Sequence, residues 1–207
     1  MSEAVVLQSP LVGMNMDKSL VENPEITLSE LPFRGHYNLR GSVDDSVFAD
    51  TVQSVLGVAL PVQPNTTAGN DAATIYWLSP DEWLLVTPDE NDKTKVSAMQ
   101  SVIAESFAKV TDISGGRTVI RIGGEKSLDL LARACIFDLH PRVFAAGQCA
   151  QTTIAKSPAL IHKVSSDDNS HVVDIIVRRS FADYLWCWLE DAGLSFDLGV
   201  VSESNSL

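Results

Sequence analysis

His140 follows Asp138 by two residues in the segment Asp-Leu-His-Pro, the shortest spacing between a histidine and a carboxylate in the chain. In a strand these two side chains would point to the same face, where they could bind a metal ion or activate a water molecule. The proline at position 141 instead predicts a turn, in which both side chains hydrogen-bond to the backbone. No two histidines have the i, i+4 spacing of a helical metal site, so we favour the turn.

The segment Ser114-Gly-Gly-Arg117 offers backbone N–H groups and one cation, which together could bind an anion. It matches neither of the glycine-rich phosphate-binding patterns, GxGxxG and GxxxxGK[ST]. The GxSxG pattern of a serine nucleophile is also absent from the sequence. We therefore predict a hairpin turn at this segment rather than a binding loop.

Asp81 and Glu82 are adjacent acids close to Trp77 and Trp83. A pair of carboxylates can perform acid–base chemistry when their environments separate their pKa values. The preceding Ser-Pro, however, is a strong turn signal, and neighbouring acids at the tip of a hairpin are usually solvated. We favour the solvated tip.

The three cysteines are an odd number with no CxxC spacing, which argues against a disulfide framework or a cysteine metal site. Cys135 is expected on the apolar stripe of a helix, and Cys187, between Trp186 and Trp188, in packing or at an interface. Cys149 is the only one expected in a loop. Free thiols are typical of a reducing cytoplasm.

The composition is that of a folded protein: 45% of the 207 residues are hydrophobic and 20% are charged. The formal net charge of −12 disfavours nucleic acid and anionic membrane surfaces as partners. No apolar run approaches the ~18 residues of a membrane span. An acid near the N-terminus, where a signal peptide carries Lys or Arg, disfavours export, so we expect a cytoplasmic protein.

Hydrophobic periodicity predicts an α+β protein in which a strand–helix–strand–strand–helix order occurs twice. We divide the chain into an extended, irregular N-terminal arm (1–35), a first α+β unit (36–109), a second α+β unit (110–200) and a polar tail (201–207). The two units are expected to be ferredoxin-like and to pack as one body. Strands are predicted near 33–41, 74–78, 83–87, 110–114, 118–122, 152–154, 159–164 and 172–177, and helices at 47–57, 93–108, 125–135 and from 181 onward.

Two details of the helices are predicted as well. Asp44 or Asp45 is expected to cap the first helix, and Gly57 to end it. The last helix is expected to bury a stripe on one side. That stripe comprises Phe181, Tyr184, Leu185, Trp188, Leu189 and Ala192.

The sequence resembles the gamma-subunit family of heterotetrameric sarcosine oxidases in a series of blocks that cover most of the chain. The two most specific are Trp77-Leu-Ser-Pro-Asp-Glu-Trp-Leu84 and Phe137-Asp-Leu-His-Pro141. The others are Ser9-Pro-Leu11, Leu39-Arg-Gly41, Val110-Thr-Asp-Ile-Ser114, Arg117, Phe144, Gly147-Gln-Cys149, Thr152 and Arg179-Ser-Phe-Ala182.

A wider likeness connects the chain with the folate-binding fold of the glycine-cleavage T-protein, an aminomethyltransferase. It rests on residues 110–114, 120–123, 130–131 and 147–148. In that group an acidic residue near the following strand assists folate chemistry. Residues 154–163 contain no Asp or Glu, so the resemblance does not extend to a folate-dependent activity of this chain.

The resemblance implies a non-catalytic gamma subunit with no catalytic, cofactor-binding or metal residues. It places FAD, FMN, NAD, tetrahydrofolate and zinc on partner subunits named alpha, beta and delta, with alpha the most direct contact. The implied complex demethylates sarcosine to glycine, with formation of hydrogen peroxide and 5,10-methylenetetrahydrofolate. Candidate contact residues are Leu7, Leu11, Trp77, Trp83, Trp186 and Trp188.

Three alternatives remain at this stage. One is a gamma-like subunit of N-methylglutamate dehydrogenase, and another is a stand-alone folate-binding, aminomethyltransferase-like protein. The third is a folate-dependent iron–sulfur maintenance protein of the same fold. The Lys-Gly-Cys motif of that last group is absent, and Cys149 follows Gly147-Gln148 where the group has Glu.

Overall fold

The computed structural model describes residues 7–14, 22–167 and 170–201, and within these ranges it contains eleven strands and four helices. Residues 1–6 and 15–21 of the expected arm and 202–207 of the expected tail lie outside the described residues. In chain order the elements are β1 (Ile26–Leu31), β2 (Gly35–Arg40), α1 (Ser46–Leu56), β3 (Thr67–Asn70), β4 (Ala73–Ser79), β5 (Glu82–Thr87), α2 (Thr94–Val102), β6 (Lys109–Asp112), β7 (Arg117–Gly124), α3 (Ser127–Ala132), β8 (Cys149–Ile154), β9 (Ser157–Asp167), β10 (Ser170–Arg178), α4 (Arg179–Gly193) and β11 (Leu198–Val200).

The strands form two sheets with the same underlying order. Sheet I has the order β3-β4-β5-β2-β6, and sheet II has the order β11-β1-β7-β10-β9-β8. The paths β2-α1-β4-β5-α2-β6 and β7-α3-β9-β10-α4-β11 are equivalent, with β3 and β8 as matching edge strands. The predicted α+β architecture of two pseudo-repeated, ferredoxin-like units is therefore confirmed.

Helix α1 runs over Ser46–Leu56, one residue from the predicted span at each end, and both predicted end residues flank it. The Asp45 carboxylate accepts hydrogen bonds from the backbone N–H groups of Val47 (3.0 Å) and Phe48 (3.4 Å). Gly57 ends the helix with a φ of 71°, a left-handed conformation that costs little without a Cβ. Of the two candidate caps, Asp45 is the one used.

The expected irregular arm is wrong for residues 26–31, which form β1. This strand is inserted in sheet II, antiparallel to β7 and parallel to β11. Its neighbour Gly124 has a φ of 113°, and a Cβ there would lie 2.2 Å from the carbonyl oxygen of Glu25. The prolines at positions 24 and 32 flank the strand without interrupting it, because neither has to donate to the ladder.

Strand β6 lies in sheet I, although most of its residues were expected in the second unit. Residues 110–112, expected to open the second unit, lie in β6 and pair with β2 in sheet I. The next strand, β7, pairs with β1 and β10 in sheet II. The segment between them therefore crosses from one sheet to the other, and the hairpin predicted at residues 114–117 is wrong.

Three apolar clusters divide the molecule into layers. One cluster lies between sheet II and helices α3 and α4, and another between sheet I and helices α1 and α2. The third contains residues of both sheets, so the sheets pack face to face and the order is helix–sheet–sheet–helix. The members of this inter-sheet cluster are Leu31, Tyr76, Leu84, Val119, Cys149, Leu160 and Ile176.

Helices α2 and α3 are shorter than their predicted spans of 93–108 and 125–135. Helix α2 ends at Val102, and Phe107 is fully exposed rather than part of its buried face. Helix α3 ends at Ala132, so Cys135 lies beyond it, buried in an isolated bridge to Ile154.

Helix α4 buries a different stripe from the predicted one. Tyr184 is 41% exposed, whereas Trp186 is fully buried. Both sides of this helix carry large apolar residues, so periodicity alone does not select the face that meets sheet II. The residues actually buried are Ala182, Leu185, Trp186, Leu189 and Gly193.

Leu11 shows that part of the arm belongs to the core, because it is 1% exposed within the cluster under sheet II, whereas its neighbour Val12 is 63% exposed. We predict that Leu11→Ala lowers the free energy of unfolding by about 2–5 kcal/mol, through lost burial and a cavity. The matched control, Val12→Ala, should change it by less than about 0.5 kcal/mol. Denaturant unfolding of the full chain measures both, and equal effects would contradict this packing.

Candidate functional site

His140 and Asp138 form the predicted turn. The Asp138 carboxylate accepts a hydrogen bond from the backbone N–H of His140 at 2.9 Å. The His140 Nδ1 atom accepts one from the backbone N–H of Arg142 at 3.2 Å. Both side chains are therefore occupied by their own loop and do not face a common ligand.

The acidic tip between β4 and β5 ties this hairpin to β2. Glu82 accepts hydrogen bonds from Asn38 (2.7 Å) and Arg40 (2.8 Å), both on β2. Asp81 accepts one from the Ser79 hydroxyl at 2.6 Å, which with nearby Arg40 lowers the pKa of the Asp81 carboxyl. Arg40 lies close to both carboxylates, 3.6 Å from Asp81 and 2.8 Å from Glu82, an arrangement that suits structure better than proton transfer.

The cysteine predicted in a loop, Cys149, is instead the first residue of β8 and is fully buried in the inter-sheet cluster. Burial raises the pKa of its thiol to about 12, so almost no thiolate forms at neutral pH. Cys135 is also buried, whereas Cys187 is exposed. Cys149 is thus a packing residue rather than a nucleophile.

The segment at residues 114–117 makes a turn that closes on itself. Gly115 has a φ of 74°, and the Ser114 N–H donates to the Asp112 carboxylate at 2.9 Å. The carbonyl of Gly116 accepts from the N–H of Arg179 at 2.9 Å, which connects the turn to the start of α4. Arg117 is half-buried, and burial followed by repulsion from Arg178 lowers its pKa.

A cleft of about 170 Å³ between the sheets, which the sequence did not predict, contains buried ionisable groups. Arg121 pairs with Asp174 through two nearly parallel contacts, Nε–Oδ1 at 2.7 Å and Nη2–Oδ2 at 2.9 Å. Tyr76, also on the cleft wall, packs edge-on against His162, and the centroids of the two rings are 5.1 Å apart. Burial raises the pKa of the Tyr76 phenol and lowers that of His162, so both are neutral at pH 7.

These groups do not form an acid–base site. The Asp174 carboxylate is paired with Arg121, and burial keeps the Tyr76 phenol and the His162 imidazole neutral. The cleft is also smaller than the ~300 Å³ at which ligand pockets usually begin. It therefore does not fit a pterin-sized cofactor such as the resemblance to the T-protein group would suggest.

His36 is a further buried histidine with no catalytic partner. Its Nδ1 atom lies 2.9 Å from the carbonyl oxygen of Arg34, and burial lowers its pKa to about 4. Within residues 7–14, 22–167 and 170–201, no three His, Cys, Asp or Glu side chains are grouped closely enough to bind a metal ion. None of the helices in these ranges is long and apolar enough to cross a membrane.

Three of the six candidate contact residues belong to the core. Leu11, Trp83 and Trp186 are buried, and the Trp83 indole N–H donates to the carbonyl of Pro61 at 2.8 Å. Leu7 is half-exposed. Trp77 and Trp188 are partly buried against the clusters of their own units and keep some surface. Of the six candidates, only Leu7, Trp77 and Trp188 keep exposed surface that a partner could contact.

The fold defines a class of protein before any sequence likeness is considered. A solved aminomethyltransferase T of the glycine cleavage system from Bartonella henselae superposes with a TM-score of 0.62 at 12% identity, covering 86% of this chain and 48% of the other. At this identity the likeness concerns the fold alone. The chain is thus a T-protein-like pair of ferredoxin-like units.

The chain belongs to the sarcosine oxidase gamma subunit family, because the model of that family matches residues 40–195. A sarcosine oxidase subunit gamma from Corynebacterium sp. (strain U-96) is 29% identical over 86% of this chain and 83% of its own length. The corresponding protein from an Arthrobacter species is 27% identical over 83% and 81%. A chain of the solved heterotetrameric sarcosine oxidase from Corynebacterium sp. U-96 superposes with a TM-score of 0.81 at 27% identity, covering 92% of this chain and 96% of the other.

The different environments of the thiols predict their reactivity. We expect iodoacetamide at pH 8 to alkylate exposed Cys187 in the folded chain and to leave Cys149 and Cys135 unmodified. The pKa of about 12 and full burial protect Cys149. Peptide mapping by mass spectrometry measures the modification, with urea-unfolded chain as the control in which all three react. Alkylation of Cys149 at the rate of Cys187 would contradict this assignment.

Proposed function

We propose that this chain is the gamma subunit of a heterotetrameric sarcosine oxidase, to which it contributes binding surface rather than catalytic groups. The observation that carries the proposal is the agreement of family and fold over almost the whole chain. The family match spans residues 40–195, and the superposition on a chain of the heterotetramer covers 92% of this chain. The proposed complex is an oxidoreductase that demethylates sarcosine.

Several ionisable groups of the interior support a non-catalytic role. The buried thiol of Cys149 and the imidazoles of His36 and His162 are held in their neutral forms, and Asp174 is paired with Arg121. We therefore assign FAD, FMN, NAD, tetrahydrofolate and zinc to the partner subunits. The partners proposed are alpha, beta and delta, with alpha in direct contact, and the compartment proposed is the cytoplasm.

Exposed apolar side chains support a surface that other subunits cover. Phe107 and Ile136 are almost fully exposed, and Leu194 is 81% exposed. Leu194 also lines an open depression beside Phe196 and Leu198 at the end of α4. Subunits of permanent complexes expose more apolar area than monomers do, because partners bury that area on assembly.

Purification of a tagged copy of the full chain from its native host tests the proposal. We expect three other polypeptides to co-purify, with flavin absorbance in the visible range and oxidation of sarcosine. N-methylglutamate should be oxidised more slowly, which separates the proposal from the dehydrogenase alternative. After dissociation under denaturing conditions, no flavin should remain on this chain. The untagged host serves as the control.

Two outcomes would contradict the proposal. A colourless chain that purifies alone would remove the subunit role. Flavin or zinc that stays with this chain after dissociation would remove the assignment of the cofactors to the partners.

A further inference from the structure

Three neighbouring arginines form no ion pair with any described acidic residue, in a chain whose net charge is −12. Arg117 at the start of β7 lies opposite Arg178 at the end of β10, and Arg179 begins α4. Within the described residues none of the three forms an ion pair, whereas Arg40 and Lys93 do. The pKa of Arg117 is lowered by burial and then by Arg178. This local concentration of like charge is unfavourable for the isolated chain.

Two of these arginines, Arg178 and Arg179, place positive charge at the N-terminal end of α4. Arg178 is the N-cap of α4, where its side chain makes no capping hydrogen bond, and Arg179 lies in the first turn. The N-terminal end of a helix carries positive partial charge, so acids are favoured there and cations are unfavourable. A residue type that is unfavourable at its position in the fold is expected where that residue serves a function.

Three adjoining depressions meet at these residues, and each depression is lined by two of the three arginines. Arg117 and Arg178 line one of about 390 Å³, Arg117 and Arg179 one of about 290 Å³, and Arg178 and Arg179 one of about 630 Å³. The last two also contain residues 8–10 of the arm. The three arginines therefore lie where these depressions adjoin.

Exposed apolar side chains surround the arginines. Leu7 and Phe33 line the depression of Arg117 and Arg179, and Val12 lines that of Arg178 and Arg179; they are 50%, 42% and 63% exposed. We call this the arm–arginine surface, and it comprises Leu7, Val12, Phe33, Arg117, Arg178 and Arg179.

The acids near this surface do not neutralise it. Glu30 is buried and accepts hydrogen bonds from the hydroxyls of Ser9 and Thr118. Glu90 lines one depression but is buried and forms no ion pair with any of the three arginines. Glu82, the acid that raises the pKa of Arg117, is paired with Arg40.

We propose that the arm–arginine surface binds an acidic segment of a partner subunit, with carboxylates on the arginines and apolar side chains on Leu7, Val12 and Phe33. Arginine forks pair with carboxylates in a bidentate manner, and arginines among apolar residues are typical centres of protein interfaces. A small free oxyanion would use the cations and leave the apolar residues uncovered. This inference rests on the proposed function.

Competition between variants in the native host tests the inference. Wild-type chain and the double variant Arg178→Glu with Arg179→Glu are co-expressed, and the complex is captured through a tag on another subunit. Mass spectrometry then gives the ratio of the two chains. We expect the variant to be about 100-fold depleted relative to the lysate, because reversing partnered charges at an interface replaces attraction by repulsion.

A matched control changes the net charge equally elsewhere. Lys109→Glu with Lys156→Glu alters two exposed cations that line none of the three depressions, and it should enter the complex as well as wild type. The Tm of the arginine variant should be unchanged or higher, since acids replace cations at the start of α4. Depletion of the arginine variant without a lower Tm would therefore show that the substitutions impair assembly and not folding.

Arginine modification by phenylglyoxal gives a second readout on the wild-type chain. We expect assembly to protect Arg117, Arg178 and Arg179, while Arg142 reacts in both states. Protection of the isolated chain by inorganic phosphate, without protection in the complex, would identify a small-oxyanion site and overturn the inference.

Equal depletion of both double variants, or depletion of neither, would also overturn the inference about the arm–arginine surface. Either result would leave the proposed subunit role intact. Failure of any complex to form would overturn the proposed function and this inference together.

Discussion

The face-to-face contact of the two sheets is the constraint on which the rest of the molecule depends. Each sheet is covered by helices on one side and by the other sheet on its second side, so its central strands are buried on both faces. Any charge in this layer needs a partner, and Arg121 with Asp174 supplies the one bidentate pair described there. Tyr76, His162 and Cys149 are accommodated in their neutral forms because burial disfavours the charged form of each.

Local signals were sufficient for the elements that end at strong turn or cap residues. Asp45 and Gly57 mark helix α1 from the sequence, and the repeated order of elements gives the two pseudo-repeated units. The insertion of β1 into sheet II and the pairing of β6 with β2 are long-range choices that no local pattern contains. They follow from completing two sheets that must cover each other.

The candidate site was predictable mainly by exclusion. Spacing and turn chemistry were enough to interpret Asp138, His140 and the Asp81 tip as loop structure, which their hydrogen bonds confirm. The arginines could not be found this way, because Arg117 is more than sixty residues from Arg178 in sequence and only the pairing of β7 with β10 brings them together. Trp186 was misplaced for a related reason: an aromatic-rich helix offers several possible buried faces.

In this T-protein-like fold Asp174 is paired and Cys149, His36 and His162 are neutral, whereas the buried Nζ atom of Lys163 has no hydrogen-bond partner within the described residues. The most direct test of this account is isothermal titration calorimetry of the purified full chain with tetrahydrofolate, with an active aminomethyltransferase T as the positive control. We expect no saturable binding to this chain, because Arg121 and Asp174, two charged groups of the cleft between the sheets, are paired with each other. Saturable one-to-one binding that Arg121→Ala alters would contradict it.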